Sequence, residues 1–382
     1  MLYYLIAGER SGDLHGGNLV RSIRAHDPDA QCRAYGGENM QEAGATIVRH
    51  YRQMAFMGFV EVAKNLGTIR RIMRECQADL LANRPDVLIL IDYSGFNMRV
   101  AKFAKQHGIR VFYYISPKVW AWNQRRAWNI KKLIDRMFVI FPFEVEFYKQ
   151  FNYEVEYVGN PLMDAISAFR PDVARFSKTA LHASANTHGF LKPRYIALLP
   201  GSRKQEVVNM LPVMLLASRQ FPDYQFAVGT VSNLPPALYD ALLADYPEVL
   251  RVDDAAYDLL HVATAALVTS GTATLETALL NVPEVVLYKT PRWWYEVGKR
   301  VLAVPYLSLV NLIAGRLVVK ELIHDCTPNR VAEELRAILP GSPLREQMLS
   351  DYIEVQQKVG GPGASERAGK RIVELVKKYA TS

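Results

Sequence analysis

The chain has 382 residues, half of them hydrophobic and 22% charged, a globular composition with room for about two domains, each with its own core. A formal net charge of +8 favours anionic partners (nucleotides, phosphorylated substrates, phospholipid headgroups or nucleic acid) without choosing among them. Three dispersed cysteines, Cys32, Cys76 and Cys326, exclude a disulfide framework or metal-ligand spacing and fit a reducing cytosol, and no apolar run approaches the roughly 18 residues that span a bilayer.

The N-terminus shows no signal pattern and opens on an apolar strand, Leu2-Tyr3-Tyr4-Leu5-Ile6-Ala7, that ends in Gly8-Glu9-Arg10-Ser11-Gly12-Asp13. A helix with Leu14, Leu19 and Ile23 follows, so Glu9, Ser11, Asp13 and His15 fall at the carboxyl end of the strand, where open α/β sheets place ligands. The spacing is neither G-x-G-x-x-G nor a P-loop, which withholds the nicotinamide and ATP fingerprints. Asp13 reads equally as a cap of its own helix. A second strand near Arg33-Ala34-Tyr35 ends at Gly36-Gly37. An unusually apolar stretch, Met54-Ala55-Phe56-Met57-Gly58-Phe59-Val60, then precedes a helix with Lys64, Arg70, Arg71 and Arg74. Apolar residues beside cations suit a bilayer interface, and suit a core segment with a solvated helix equally well.

Residues 86–91 form the next strand, with Asp92 at its carboxyl end before Tyr93-Ser94-Gly95-Phe96-Asn97; that aspartate fits a general base and a helix cap alike. Residues 111–115 make another strand, followed by the aromatic, basic loop Ser116-Pro117-Lys118-Val119-Trp120-Ala121-Trp122 and by Arg125, Arg126, Lys131 and Lys132. After a strand at 137–141, Pro142-Phe143-Glu144 opens a helix, and the first domain ends near Val158-Gly159-Asn160-Pro161. Residues 162–193 read as a connection with a surface helix.

In the second half, the apolar run Ile196-Ala197-Leu198-Leu199 meets Pro200-Gly201-Ser202-Arg203, and a helix with Val207, Met210, Leu211 and Met214 starts at Arg203 under a Ser202 cap. Such a strand–glycine–helix turn aims unpaired N–H groups and a helix dipole at one point, and Arg203 adds a fork of donors: the point suits a phosphate. About seventy residues later the pattern returns, with Thr269-Ser270-Gly271-Thr272-Ala273-Thr274-Leu275-Glu276 after an apolar strand. Glu276, one turn into that helix, is placed to accept from a ribose diol. Two such turns in one domain predict a nucleotide diphosphate across the ends of neighbouring strands. Lys289-Thr290-Pro291-Arg292-Trp293-Trp294-Tyr295, with Lys299 and Arg300, joins tryptophan to cations as a headgroup contact does. Ser308, Asn311, Lys320 and Glu321 are further polar candidates near the nucleotide. Helices complete the chain after about residue 328, and no repeat of 20–50 residues is visible.

The motifs Gly8-Glu9-Arg10-Ser11-Gly12-Asp13, Met57-Gly58, Ser116-Pro117-Lys118-Val119-Trp120-Ala121-Trp122, Phe141-Pro142-Phe143-Glu144, Leu199-Pro200-Gly201-Ser202-Arg203, Ser270-Gly271-Thr272-Ala273-Thr274-Leu275-Glu276 and Asn311-Leu312-Ile313-Ala314-Gly315-Arg316 occur in this order, and jointly they resemble the lipid-A-disaccharide synthases from about residue 3 to 325. The resemblance implies an α/β fold of the GT-B type: a Rossmann-like acceptor and membrane-facing domain at 1–165, a Rossmann-like UDP-sugar domain at 190–340, a cleft between them, and C-terminal helices at 341–382 returning to the first domain. It implies an inverting glycosyltransferase that joins UDP-2,3-diacylglucosamine to 2,3-diacylglucosamine 1-phosphate (lipid X), releasing UDP and a β-1,6-linked disaccharide, at the cytoplasmic face of the inner membrane.

On that reading Asp92, Glu9, Ser11 and Arg203 are the catalytic candidates, and Gly201, Ser202, Arg203, Glu206, Ser270, Gly271, Thr272, Glu276 and Asn311 hold the UDP-sugar. No metal, cofactor or nucleic acid is expected; the partners are the two lipid substrates and an anionic membrane surface, with room for a homodimer. Relatives carry an aspartate just before the Phe-Asn pair where this chain has Gly95, so the base falls to Asp92, Glu9, Asp13 or His15; Arg10 and Asn160 also depart from the family pattern. The competing readings are an epimerase of the UDP-N-acetylglucosamine 2-epimerase kind on the same scaffold, and a non-catalytic binder of anionic lipid.

Overall fold

A computed structural model describes residues 1–54, 66–172, 194–289, 304–323 and 325–380. Met57-Gly58, Lys64, the residues from Thr290 to Tyr295, Lys299 and Arg300, all singled out in the sequence, lie outside the described residues. The chain divides into two compact units, Met1–Asp164 with Gly360–Ser382, and Ala165–Val359.

The first unit is built on a parallel sheet of seven strands: β1 (Leu2–Ala7), β2 (Gln31–Gly36), β3 (Thr46–His50), β4 (Val87–Ile91), β5 (Val111–Tyr114), β6 (Arg136–Val139) and β7 (Glu156–Tyr157), in the order β3-β2-β1-β4-β5-β6-β7. Strands covered by helices on both faces bury every side chain, which is why β4 reads Val-Leu-Ile-Leu-Ile without alternation. The order reverses between β1 and β4, where Ala7 pairs with Ile91.

The second unit carries a parallel sheet of six strands: β8 (Tyr195–Leu199), β9 (Gln225–Thr230), β10 (Leu250–Asp253), β11 (Ala263–Thr269), β12 (Glu284–Leu287) and β13 (Lys320–Leu322), in the order β10-β9-β8-β11-β12-β13. Here the reversal lies between β8 and β11, with Val268 opposite Leu199. In each sheet the crevice at the reversal, outside the strands' carboxyl ends, is the place where doubly wound folds accept ligands.

The helices after residue 341 divide differently from the sequence-based expectation. The helix Pro343–Val359 stays with the second unit: Arg316 pairs with Asp351 at 2.8 Å and Lys358 Nζ donates to the Ala314 carbonyl at 2.9 Å. Only the helix Ala364–Ala380 belongs with the first unit, lying against the helix Arg10–His26, where Ser22 Oγ donates to the Glu366 carbonyl and an added Cβ on Gly369 would stand 2.3 Å from Ser22 Oγ. The Asp164 carboxylate accepts from the backbone N–H groups of Gly363, Ala364 and Ser365, capping that last helix. Two amphipathic helices in sequence carry no mark of which sheet each covers, and these contacts supply it.

Candidate active site

At the first reversal, β1 runs into Gly8 and Glu9, and Glu9 is the N-cap of the helix Arg10–His26, with Ser11 exposed in its first turn. The neighbouring β4 ends in two consecutive residues in the left-handed region, Asp92 (φ 44°) and Tyr93 (φ 45°). Neither is glycine, and each such residue costs on the order of 1–2 kcal/mol. The surrounding contacts impose the bend. The Asp92 carbonyl accepts from Asn97 Nδ2 at 2.8 Å and from the Tyr113 hydroxyl, its N–H donates to the Tyr114 carbonyl, and Tyr93 reaches across to donate to the Met54 carbonyl at 2.6 Å. Tyr93 also lies over Gly8, where an added Cβ would stand 2.3 Å from the ring. The Gly8–Ser11 loop and the Asp92 elbow are therefore fastened together at one crevice.

Two of the alternatives for the base lie in distinct surroundings. Asp13 is buried, and its carboxylate accepts from the N–H groups of Gly37, Asn39 and Met40 and from Asn39 Nδ2. It holds the turn into the short helix Glu38–Glu42 instead of capping its own helix. The His15 imidazole is packed away, and burial pulls its pKa down to about 4 against the opposing field of Asp164, so it is neutral near pH 7.

At the second reversal the two turns stand side by side, as the register of β8 and β11 requires. Gly201 has φ +106°, and a Cβ there would meet the Glu206 carboxylate at 2.5 Å. The helix starts at Lys204, with Arg203 as N-cap, so Ser202 does not cap it. Glu206 takes that part. Its Oε2 accepts from the N–H groups of Ser202 (3.1 Å) and Arg203 (3.2 Å), and its Oε1 pairs with the Arg203 guanidinium at 3.2 Å. The N–H groups expected to face a phosphate are thus held by a carboxylate of the protein itself, and what points outward is the guanidinium, 64% exposed. Asn233 Nδ2 donates to the Ser202 carbonyl at 3.1 Å and steadies the turn from the β9 side.

In the companion turn, Gly271 and Thr272 are exposed at the start of the helix Thr272–Leu279, and Thr274 Oγ1 closes the first turn on the Gly271 carbonyl at 2.9 Å. Ser270 Oγ donates to the Leu307 carbonyl at 3.4 Å. Glu276 is half-buried and accepts from the Tyr257 hydroxyl at 2.7 Å. Burial raises its pKa, and the Tyr257 hydrogen bond opposes that rise.

Asn311 is fully buried, and its amide is spent on its own surroundings: Nδ2 donates to the Val319 carbonyl and Glu321 Oε1, and Oδ1 accepts from the N–H groups of Val318 and Val319. With both donors and the acceptor satisfied, the amide shapes the loop that runs from Asn311 to Glu321. Glu321 likewise receives the N–H groups of Leu307 and Ser308, which positions the segment that Ser270 touches.

One residue of consequence was not among the sequence candidates. Glu144, 1% exposed, gathers four donors: Ser116 Oγ, Trp120 Nε1 at 3.2 Å and the N–H groups of Ile140 and Phe141 at 3.2 and 2.9 Å. Burial nevertheless pushes its pKa up to about 7. A glutamate three residues after the start of a turn, as in a capping box, was the available signal. Among the described residues no group of three or more His, Cys, Asp or Glu is placed to hold a metal ion, and no helix is long and apolar enough to cross a membrane.

A family model described as lipid-A-disaccharide synthetase matches residues 3–366. The lipid-A-disaccharide synthase of Geobacter sulfurreducens is 39% identical over 382 residues, covering 98% of this chain and 97% of that protein. The chain belongs to the lipid-A-disaccharide synthase family. The family member of Syntrophus aciditrophicus is 40% identical over 384 residues, with 99% and 98% covered. As a lipid-A-disaccharide synthase homologue over its whole length, the chain is a hexosyltransferase of lipid A biosynthesis.

Solved structures place this lipid-A-disaccharide synthase family member on the GT-B scaffold of two Rossmann-like domains. The UDP-GlcNAc 2-epimerase from Neisseria meningitidis bound to UDP-GlcNAc superposes with a TM-score of 0.65 over 99% of this chain and 100% of that one, at 15% identity. The glycotransferase of kitacinnamycin gives 0.63 over 99% and 98%, at 12% identity. At these identities the likeness shows the fold alone, so the epimerase reading has only the scaffold behind it.

Proposed function

We propose that the chain transfers 2,3-diacylglucosamine from UDP to the 6-hydroxyl of 2,3-diacylglucosamine 1-phosphate, with inversion at the anomeric carbon and release of UDP. The observation that carries this reading is the family match over nearly the whole chain, joined to two strand–turn–helix bends side by side at the β8/β11 reversal. Negative charge grows on the diphosphate as the glycosidic bond breaks. The Arg203 guanidinium and the N–H groups of Gly271 and Thr272 stabilise that charge, and Glu276, aimed by Tyr257, takes the ribose hydroxyls. Gly201 and Ser202 form the turn, and Glu206 holds it and aims Arg203 without touching the donor.

The proton of the attacking hydroxyl goes to Asp92. Support for that role is the strained elbow that presents this aspartate, held by Asn97, Tyr113 and Tyr93. Glu9 and Ser11 share its crevice and orient the sugar. The acidic position of the relatives is Gly95 here, where an added Cβ would meet nothing within 4 Å. The basic balance of the chain and acylated substrates favour work at an anionic membrane surface, with the protein lying on it.

The test is mass spectrometry of products after incubation with UDP-2,3-diacylglucosamine and its 1-phosphate acceptor. A disaccharide 1-phosphate formed with one UDP per product supports the reading. An unchanged acceptor overturns it, and a parallel incubation in which UDP-N-acetylglucosamine gives its 2-epimer, resolved by NMR because the two have equal mass, favours the epimerase.

A further inference from the structure

In the run from Val111 to Trp120 nine residues are buried and Lys118 alone is exposed. Its loop leaves β5 through Ile115, in the left-handed region at φ 66°, and β5 lies beside β4 and the Asp92 elbow, to which Tyr113 and Tyr114 are hydrogen-bonded. The loop is tied down on its far side by a buried carboxylate. The Glu144 carboxylate, on the helix Phe143–Lys149 that follows β6, accepts from Ser116 and Trp120 in the loop and from Ile140 and Phe141 behind it. Trp120 is also packed edge-on against Phe143 at 5.0 Å and Phe141 at 6.4 Å, and those two rings stack at 5.5 Å. Lys118 is thus a cation carried outward on a rigid, apolar mount.

We propose that Glu144 is a positioning residue for the acceptor: by fastening Ser116 and Trp120 it holds Lys118 beyond the carboxyl end of β5, the strand next to the Asp92 elbow, where the ammonium binds the acceptor's phosphate. The proposal rests on the transferase reading. A carboxylate is needed because all four partners are donors, and two oxygens offer about four lone-pair sites. An amide sets its NH2 against at least one of the three N–H donors whichever way it faces, so at least one of the four bonds is lost, and a protonated carboxyl is a weaker acceptor whose hydrogen the Ser116 hydroxyl alone can receive. The titratable groups facing Glu144 are Tyr148 on its own helix and Tyr157 on β7, and burial raises both hydroxyls well clear of neutral pH. Glu144 is the group that changes charge there, and acceptor binding tightens as pH rises through about 7.

The experiment compares the wild-type chain with Glu144→Gln, Ser116→Ala and Lys118→Ala in steady-state UDP release between pH 6 and 8.5, varying donor and acceptor separately. Glu144→Gln is expected to raise the acceptor KM at pH 8 by roughly fivefold or more, with donor KM within about twofold, and to flatten the pH dependence of acceptor KM. The acceptor phosphate titrates equally in both proteins, so the difference between profiles belongs to Glu144. Lys118→Ala should raise acceptor KM by about tenfold and leave no further effect for Glu144→Gln in the double variant. If Glu144→Gln does not fold, Ser116→Ala carries the same expectation on acceptor KM through the loss of one donor. Wild-type acceptor KM and pH profile retained in Glu144→Gln, or in Ser116→Ala where only that variant folds, overturn the proposal while wild-type turnover keeps the transferase reading. An absence of UDP release in the wild type with both substrates overturns the transferase reading, and this proposal with it.

Discussion

Replacing Arg203 by alanine separates what this side chain does for the fold from what it does for the reaction. Its ion pair to Glu206 at 3.2 Å joins a side chain 64% exposed to one 23% exposed. A solvent-screened pair of that kind contributes about 0.2–1 kcal/mol. Glu206 keeps its two backbone donors in the variant, so the helix cap survives. For a unit of this size about 1 kcal/mol corresponds to roughly 2–4 °C, and the melting temperature should fall by no more than that. A donor aimed at a departing diphosphate is worth far more, about 2.7–4 kcal/mol, or roughly 100- to 1,000-fold in kcat. Differential scanning fluorimetry and a coupled UDP-release assay on the same preparation measure the two losses together. Arg203→Lys should recover part of the rate, since it restores the charge without the fork. Turnover of Arg203→Ala within threefold of wild type, or a rate loss matched by a collapse in melting temperature, would refute the reasoning.

Further expectations concern the supports of the two crevices. Gly8→Ala pushes a methyl group into the Tyr93 ring, so it should destabilise by about 1–3 kcal/mol; in a Tyr93→Ala background the same substitution should cost almost nothing in thermal melts, and an equal cost in both would remove Tyr93 as the cause. Tyr257→Phe withdraws the hydroxyl from Glu276 and should raise donor KM by about tenfold or more with kcat unchanged, a hydrogen bond to a charged group being worth about 1.5–3 kcal/mol; an effect on kcat alone would contradict a ribose contact. Glu284, fully buried and with neither carboxylate oxygen partnered among the described residues, has its pKa raised well above 4.5 by burial, with Glu321 adding to the rise. Between those two values the unfolded chain has released a proton that the folded chain retains, so the contribution of Glu284 to stability is greatest below about pH 4.5 and declines as pH rises toward the folded pKa. Glu284→Gln removes that decline, and its melting-temperature advantage should widen from pH 5 to pH 8; a constant difference would show that the carboxyl does not titrate as described.

The sheets were legible because parallel strands are buried on both faces: Val87–Ile91 and Tyr195–Leu199 stand out as unbroken apolar runs closed by turn residues. The strand ends at Glu9, Asp92, Arg203 and Ser270 could be placed from those runs, and the strand orders bring them to the two reversals. What sequence withheld was the use of each polar group. Asp13 caps a helix 24 and more residues away, Glu144 reaches back 28 residues to Ser116, and Asn311 saturates its amide on Val318, Val319 and Glu321. Such pairings depend on which strands lie side by side, and no local pattern encodes that. Glu206 is the opposite case. Its capping-box spacing from Arg203 is visible in the sequence, and that local pattern already places a carboxylate on two of the turn's donors.

The most direct test of the account is a crystal structure with UDP bound. The account predicts the diphosphate within hydrogen-bond distance of the Arg203 guanidinium and the N–H groups of Gly271 and Thr272, with the ribose on Glu276. A diphosphate seated elsewhere, with the Arg203–Glu206 pair and Glu276 untouched, would contradict it.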